Sequence, residues 1–379
     1  MHRLLRLVPA PVKRAVRHLP FADRLRTLIG GRPKSAPVEA GALRPVVYPP
    51  TWLRWDTMKQ RPQFLLQAFA AAGHPVFFVD TEERSVRHSD GVTIVPSLRH
   101  VPATGPILYT HFAPIRHVFD RFDDPVILYD LLDDLSIYDP DEEGLPAARR
   151  VRAHHAEVVG RADVVIVSNP VLYERHRSER ADLLLVENGV DVAAFAAGGG
   201  RPPDLPDGTM VGYHGMISTW FDFELLDAVA TARPDWTLVL VGPVDDRVRD
   251  RLSASLTRPN VVWMGERPSD QMPAYAAAFD VGAIWFTVDE MTAAVTPLKM
   301  FEYLAAGTPC VSTPLPAAKS AEGVRTASGA SDFIAAIGEA LGDDPNAVRA
   351  LGAEHDWLDR LAPVLDRLDR LDRRRYPPS

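Results

Sequence analysis

The segment Thr296-Pro297-Leu298-Lys299-Met300-Phe301-Glu302-Tyr303-Leu304-Ala305-Ala306-Gly307-Thr308-Pro309 gathers the side chains of this sequence best suited to chemistry. Thr296 reads as a helix N-cap, Pro297 as the first helical residue, and Gly307 as the C-terminal cap before a strand. Such a helix start offers unpaired backbone N–H groups and a partial positive charge. It follows an apolar run ending near Phe286, and open α/β sheets hold ligands at strand ends of that kind. A diphosphate suits the combination of Thr296, Pro297 and Leu298. Lys299 in the first turn adds a full positive charge, while Glu302, three residues on and on the same face, can accept two hydrogen bonds from a ribose diol. The same spacing also describes an ordinary solvent-exposed ion pair, so the choice depends on the elements around it.

Those elements follow an α/β pattern. Short β-branched runs at 46–48, 76–80, 92–95, 107–110, 126–130, 164–168 and 183–186 predict one series of strands. Runs at 210–214, 237–242, 261–264, 281–286 and 308–312 predict a second, with helices such as 224–232 and 297–306 between. Uniformly apolar strands separated by helices imply parallel sheets covered on both faces. A chain of 379 residues is longer than one hydrophobic core usually grows, so two domains are expected. The glycine- and proline-rich stretch at 198–207 reads as the linker between domains at 45–197 and 208–355. Residues 356–379 form an amphipathic helix, with leucines at three- and four-residue intervals and a break or kink expected at Pro363.

The helix resembles the donor-binding helix of GT-B-fold glycosyltransferases, family 4 type, and their teichuronic-acid-type relatives, where a P-x-K-x-x-E-Y-x-A-x-G-x-P run closes the site. The resemblance runs from about residue 46 to about residue 373. Glu187-Asn188-Gly189-Val190-Asp191, followed by Phe195, is similar to the N-G-V-D element ending the acceptor lobe. Gly212-Tyr213-His214-Gly215-Met216-Ile217-Ser218-Thr219-Trp220-Phe221-Asp222 is similar to the loop that opens the donor lobe. There Gly215 leaves room for a phosphate beside the backbone, and Thr219 with Asp222 has capping-box spacing.

The resemblance implies two Rossmann-like doubly wound domains facing a central cleft, the last helix crossing back to the N-terminal domain. It also implies a sugar moved from a nucleotide-diphosphate donor with retention at the anomeric carbon. The donor site would comprise Gly215, Met216, Gly242, Gly265, Glu266, Thr296, Pro297, Leu298, Lys299 and Glu302. The acceptor side would present Trp52, Trp55 and Arg61 from a long connection, either tryptophan being equally at home in a core. Asp133 or Asp130 would orient or deprotonate the acceptor hydroxyl, with His111 a further candidate because imidazole titrates near neutrality.

Two departures stand out. The family glutamate eight residues before Glu302 is Ala294 here, with Asp289 and Glu290 as nearby carboxylates. The basic pair of the donor-lobe loop is missing, leaving Lys299 more of the phosphate charge. No metal cofactor is expected: Asp139-Pro140-Asp141 spells a D-x-D pattern, but in an acidic, proline-containing loop.

Charge completes the reading. Residues 1–34 carry nine basic side chains against Asp23, a net +8, leaving −16 for the remainder, so the body repels nucleic acid. The basic segment, 1–44, suits either short amphipathic helices on anionic lipid or a basic tail. No apolar run is long enough to span a membrane, and the single cysteine, Cys310, fits a reducing compartment, so a cytoplasmic protein peripheral to a membrane is expected. The resulting expectation is transfer to a cell-envelope glycan or lipid-linked acceptor. The alternatives are a GT-B-fold nucleotide-sugar epimerase and a non-catalytic two-lobed binding or scaffold protein.

Overall fold

The computed structural model describes residues 32–33, 43–51, 53–56, 59–132 and 146–375. The greater part of the basic N-terminal segment, Trp52, Asp133 and the D-x-D pattern lie outside the described residues. The chain forms two compact units, one running to Glu187 and resuming at Leu361, the other Asn188–Arg360.

The first unit is built on β1 (Val46–Tyr48), β2 (Val76–Val79), β3 (Arg87–Ser89), β4 (Val92–Val95), β5 (Ile107–Thr110), β6 (Val126–Leu131), β7 (Val164–Val167) and β8 (Leu184–Leu185). Its strand order is β3-β4-β2-β1-β5-β6-β7-β8, parallel throughout except for the edge strand β3. Its helices include α1 (Arg61–Ala71), α2 (Pro146–Arg161) and α3 (Pro170–His176). Val46, Val47 and Tyr48 are completely buried, as expected of a central strand covered on both faces.

The second unit carries β9 (Thr209–His214), β10 (Trp236–Val241), β11 (Val261–Trp263), β12 (Val281–Ile284), β13 (Cys310–Ser312) and β14 (Val324–Thr326). These six strands are all parallel, in the order β11-β10-β9-β12-β13-β14. Counted from the first strand of the unit this is 3-2-1-4-5-6, the doubly wound order of dinucleotide-binding domains. It switches direction between β9 and β12, where such sheets open a crevice beyond the strand ends.

The helix α4 (Leu298–Ala306) is drawn onto this switch point by two paired glycines. Gly212 and Gly282 lie opposite one another in β9 and β12. A Cβ on Gly282 would stand 2.3 Å from the Tyr303 ring, and one on Gly212 would stand 2.1 Å from the Phe279 ring. With no side chain there, Tyr303 of α4 settles into the sheet, and its hydroxyl accepts a hydrogen bond from the His214 backbone N–H at 3.0 Å. Gly307 ends the helix in the left-handed conformation expected of it, at φ 83°. On the far side α5 (Pro345–Gly352) brings Arg349 to the Ala306 carbonyl at 3.0 Å. The last helix, α6 (Trp357–Arg375), runs unbroken through Pro363 and returns to the first unit, where Asp372 accepts from Arg44 at 2.7 Å and Arg367 pairs with Asp182.

Three sequence expectations change. Pro297 is the N-cap of α4 and Leu298 its first residue, one position later than the spacing suggested. The helix Phe223–Ala232 is capped by Asp222 alone, whose carboxylate accepts from the Leu225 N–H at 2.9 Å, and Thr219 takes no part. The stretch at 198–207 lies inside the second unit: Leu205 is buried there, and Asp204 accepts from Arg267 and from the Tyr275 hydroxyl, both at 2.8 Å. The chain passes between units at Glu187–Asn188 instead.

Candidate functional site

The β9 strand delivers its last residue, His214, and then Gly215, to the switch point. Gly215 has φ 124°, a conformation open to glycine but not to a side chain, and its N–H donates to the Val241 carbonyl at 2.8 Å. The neighbouring strand β10 is followed by Gly242, also at positive φ, so close that a Cβ there would lie 2.2 Å from the Gly215 carbonyl oxygen. The two glycines thus lay a bare stretch of backbone beside the start of α4. Gly265 buttresses the pair by accepting the Gly242 N–H through its carbonyl at 2.8 Å. Tyr213 fixes the next residue by donating its hydroxyl to the Met216 carbonyl at 2.7 Å.

Lys299 reaches over this backbone. Its ammonium lies 4.8 Å from the centre of the Tyr213 ring and 5.0 Å from that of Phe286, and a Cβ on Gly215 would meet its Cε at 3.1 Å and its Nζ at 3.2 Å. The two aromatic faces hold the cation without neutralising it. Burial lowers the Lys299 ammonium to about 8 against the opposing pull of Glu302, and burial raises Glu302 to about 7 against the pull of Lys299. A desolvated cation is poised to gain from a second anion, because the anion supplies the charge partner that water no longer does. Glu302 itself is 12% exposed and stands 3.4 Å from Nε2 of His214. Burial, reinforced by the Lys299 charge, lowers His214 to about 3, so the imidazole is neutral and leaves the carboxylate free to accept hydrogen bonds.

The residues leading into α4 are held from the start of the same unit. Asn188, of the N-G-V-D element, donates its side-chain amide to the Thr296 carbonyl at 2.7 Å. Among the described residues the buried Thr296 Oγ1 finds no hydrogen-bond partner, an unmet donor at the mouth of the helix. Asn188 and His214 sit inside motifs legible in the sequence, but their partners lie 108 and 88 residues away, and spacing alone does not reveal such pairings. Of the other donor-side candidates, Pro297 is buried, Leu298 half-buried, and Glu266 exposed near Gly265. Ala294 is 2% exposed, and Asp289 caps the short helix Glu290–Ala293 in a reciprocal box with Thr292, which commits its carboxylate to the helix start. Cys310 is buried, and burial pushes its thiol up, so it is inert.

In the first unit the candidates fare differently. Asp130 is fully buried, pairs with Arg61 at 2.9 Å and accepts the Tyr109 hydroxyl at 2.8 Å. Both Asp130 and Arg61 therefore belong to a buried ion pair, which removes Asp130 as a base and Arg61 as an acceptor contact. Trp55 is 1% exposed and packs edge-on against Phe78 at 5.3 Å, which places it in the core and not on a sugar. His111 follows β5 at the switch point of the first sheet, its Nδ1 2.7 Å from the Tyr48 hydroxyl. Burial lowers it to about 3, so it is a weak base at neutral pH, contrary to its ordinary range.

Residues 211–343, which hold the whole candidate site except Asn188, match the family model for group 1 glycosyl transferases. A putative teichuronic acid biosynthesis glycosyltransferase of Bacillus subtilis, TuaH, is 29% identical across 55% of this chain and 57% of its own length, so little more than half of that relative is matched. Among solved structures, sucrose-phosphate synthase of Thermosynechococcus elongatus superposes with a TM-score of 0.61 at 17% identity, covering 89% of this chain and 100% of its own. Anabaena HepE, solved with UDP and glucose, gives 0.62 at 14% identity, covering 86% and 100%. A UDP-forming α,α-trehalose-phosphate synthase of Burkholderia vietnamiensis gives 0.60 at 13% identity, covering 86% and 100%. The fold shared with these structures is the GT-B architecture of two doubly wound parallel sheets.

Proposed function

We propose that this protein is a glycosyltransferase that moves a hexosyl group from a nucleotide-diphosphate sugar to a hydroxyl of a cell-envelope glycan or lipid-linked acceptor. The observation that carries the reading is the convergence of Lys299, the bare backbone of Gly215 and the start of α4 on the switch point of the second sheet. In the reaction the bond between the anomeric carbon and the diphosphate oxygen breaks, and the diphosphate leaves with the bonding pair. A bond forms from the acceptor oxygen to that carbon, and the hydroxyl proton is released. The helix N–H groups and Lys299 stabilise the charge that grows on the leaving diphosphate, the place where preorganised donors contribute most. They supply this without a divalent cation. Glu302 holds the ribose diol, and Thr296 Oγ1 gains a partner among the phosphate oxygens.

Retention at the anomeric carbon follows from the resemblance to the family 4 type. We assign the acceptor to the first unit, with Asp133 to orient or deprotonate its hydroxyl and Trp52 to stack on it. A cytoplasmic location against the inner face of a membrane fits the basic N-terminal segment, and among the described residues no helix is long and apolar enough to cross a membrane.

The test is turnover with a panel of nucleotide sugars, with and without a membrane extract as acceptor and with a chelator throughout. Acceptor-dependent release of nucleoside diphosphate that survives chelation supports the proposal. Donor conversion without any acceptor points to an epimerase, and absence of both binding and turnover points to a scaffold.

A further inference from the structure

A second cluster of chemistry-bearing side chains stands in the first unit, apart from every residue assigned above. His155, in the middle of α2, turns its Nε2 toward Glu179, and Oε2 of that carboxylate lies 3.1 Å away. His176, the last residue of α3, brings Nδ1 to the same oxygen at 3.1 Å. The spacing of three residues from His176 to Glu179 puts both on one side of the turn that ends α3. The three donor atoms lie within 4.8 Å of one another, and the two imidazole rings meet edge to face with centroids 5.2 Å apart.

We propose that His155, His176 and Glu179 form a binding site for a zinc-type divalent cation, which clamps α2 to α3. Three features carry it. Two ligands at a bond length of about 2.1 Å and a tetrahedral angle stand roughly 3.4 Å apart, so the 3.1 Å separations need shifts of only a few tenths of an ångström, while the two imidazole nitrogens, within 4.8 Å of one another, reach the same spacing by turning about their side-chain bonds. Two imidazoles and one carboxylate make up a known three-residue zinc donor set, in which water fills the fourth position. The exposures match that arrangement: the His155 and His176 side chains are 5% and 12% exposed, while Glu179, at 46%, leaves a side open to solvent for entry of the ion and its water.

The support around the first ligand is also in place. Nδ1 of His155 lies 3.0 Å from the Tyr129 hydroxyl oxygen on β6. With Nε2 on a metal, Nδ1 carries the proton and donates it to that oxygen, which fixes the ring and its tautomer as outer partners of metal-bound histidines do. The nitrogen-rich donor set favours zinc, cobalt or nickel over magnesium. The site is separate from the phosphate site of the second unit and takes no part in the transfer step, so it stands whether or not the proposed function does.

The experiment is calorimetric titration of the full chain, freed of any histidine tag and stripped with chelator, with Zn²⁺. Co²⁺ titration followed by visible absorption and Mg²⁺ as control accompany it. The expected result is one equivalent of Zn²⁺ bound, cobalt bands of low coordination number, a raised melting temperature with Zn²⁺ and none with Mg²⁺. Tyr129→Phe should weaken binding by about 10- to 100-fold. His176→Gln and Glu179→Gln, at the more exposed positions, should each weaken it further while leaving the circular dichroism of the metal-free chain unchanged. Absence of heat and of cobalt bands in the parent chain, or affinity unmoved in the His176→Gln/Glu179→Gln double variant, would overturn the assignment.

Discussion

Burial moves Lys299 down and Glu302 up, each against the pull of the other, and those opposed shifts make the site sensitive to pH in a definite direction. As pH falls through about 7, Glu302 takes up a proton and could no longer accept both of the hydrogen bonds proposed from the ribose diol. As pH rises through about 8, Lys299 loses the charge proposed to face the diphosphate. Donor kcat/KM should therefore peak between these values and fall about tenfold for each further unit on either side. A bound diphosphate would raise Lys299, so the alkaline limb of kcat should lie above that of kcat/KM; a flat profile would contradict the roles proposed for both residues. Asp130 makes the opposite case. A carboxylate at the end of a strand looks catalytic in the sequence, because its partner Arg61 lies 69 residues away and no local pattern announces it. Removing one member of a buried pair strands the other, so Asp130→Ala should cost about 3–5 kcal/mol of stability by urea denaturation. Unchanged stability with lost turnover would restore its catalytic role.

At the scale of elements, the helix at the site was legible because its signals are local: proline at the start, glycine at the end, and apolar positions at helical spacing between them. The apolar strands were legible for the same reason, to within a residue or two at most ends. The edge strands β3 and β14 were not, since Arg87, His88 and Ser89 carry no apolar signal and Val324, Arg325 and Thr326 are only half-buried. What no local signal could disclose is the close approach of strand ends. Gly242 closes the apolar run 237–242 and stands among the expected donor-site residues, but nothing local announces that two backbones touch there beside Lys299. Gly242→Ala would drive a methyl group into the Gly215 carbonyl at positive φ, and a loss of about 3 kcal/mol is expected in the same denaturation experiment. A neutral substitution would mean that the two loops are free to separate and that the bare backbone is not a fixed feature.

For the whole molecule, the sequence disclosed two doubly wound sheets and the return of the last helix, but it misplaced the boundary between units. Glycine and proline mark turns wherever they occur, and the stretch at 198–207 is pinned to its own unit by Asp204 and Leu205, contacts that composition does not encode. The uneven charge was plain from the start. If the basic segment holds the enzyme near its acceptor, removing residues 1–34 should weaken binding to anionic vesicles by on the order of a hundredfold or more at low salt, with turnover on a soluble acceptor unchanged. Equal binding of both forms would dismiss the segment as an anchor. Whether the start of α4 with Lys299 receives a nucleotide diphosphate is decided by calorimetric titration of the full chain and of Lys299→Ala with the nucleoside diphosphate of the preferred donor. Lys299→Ala, with its fold intact, should bind about 100- to 1,000-fold more weakly; equal affinity in the two would show that the diphosphate does not rest on Lys299.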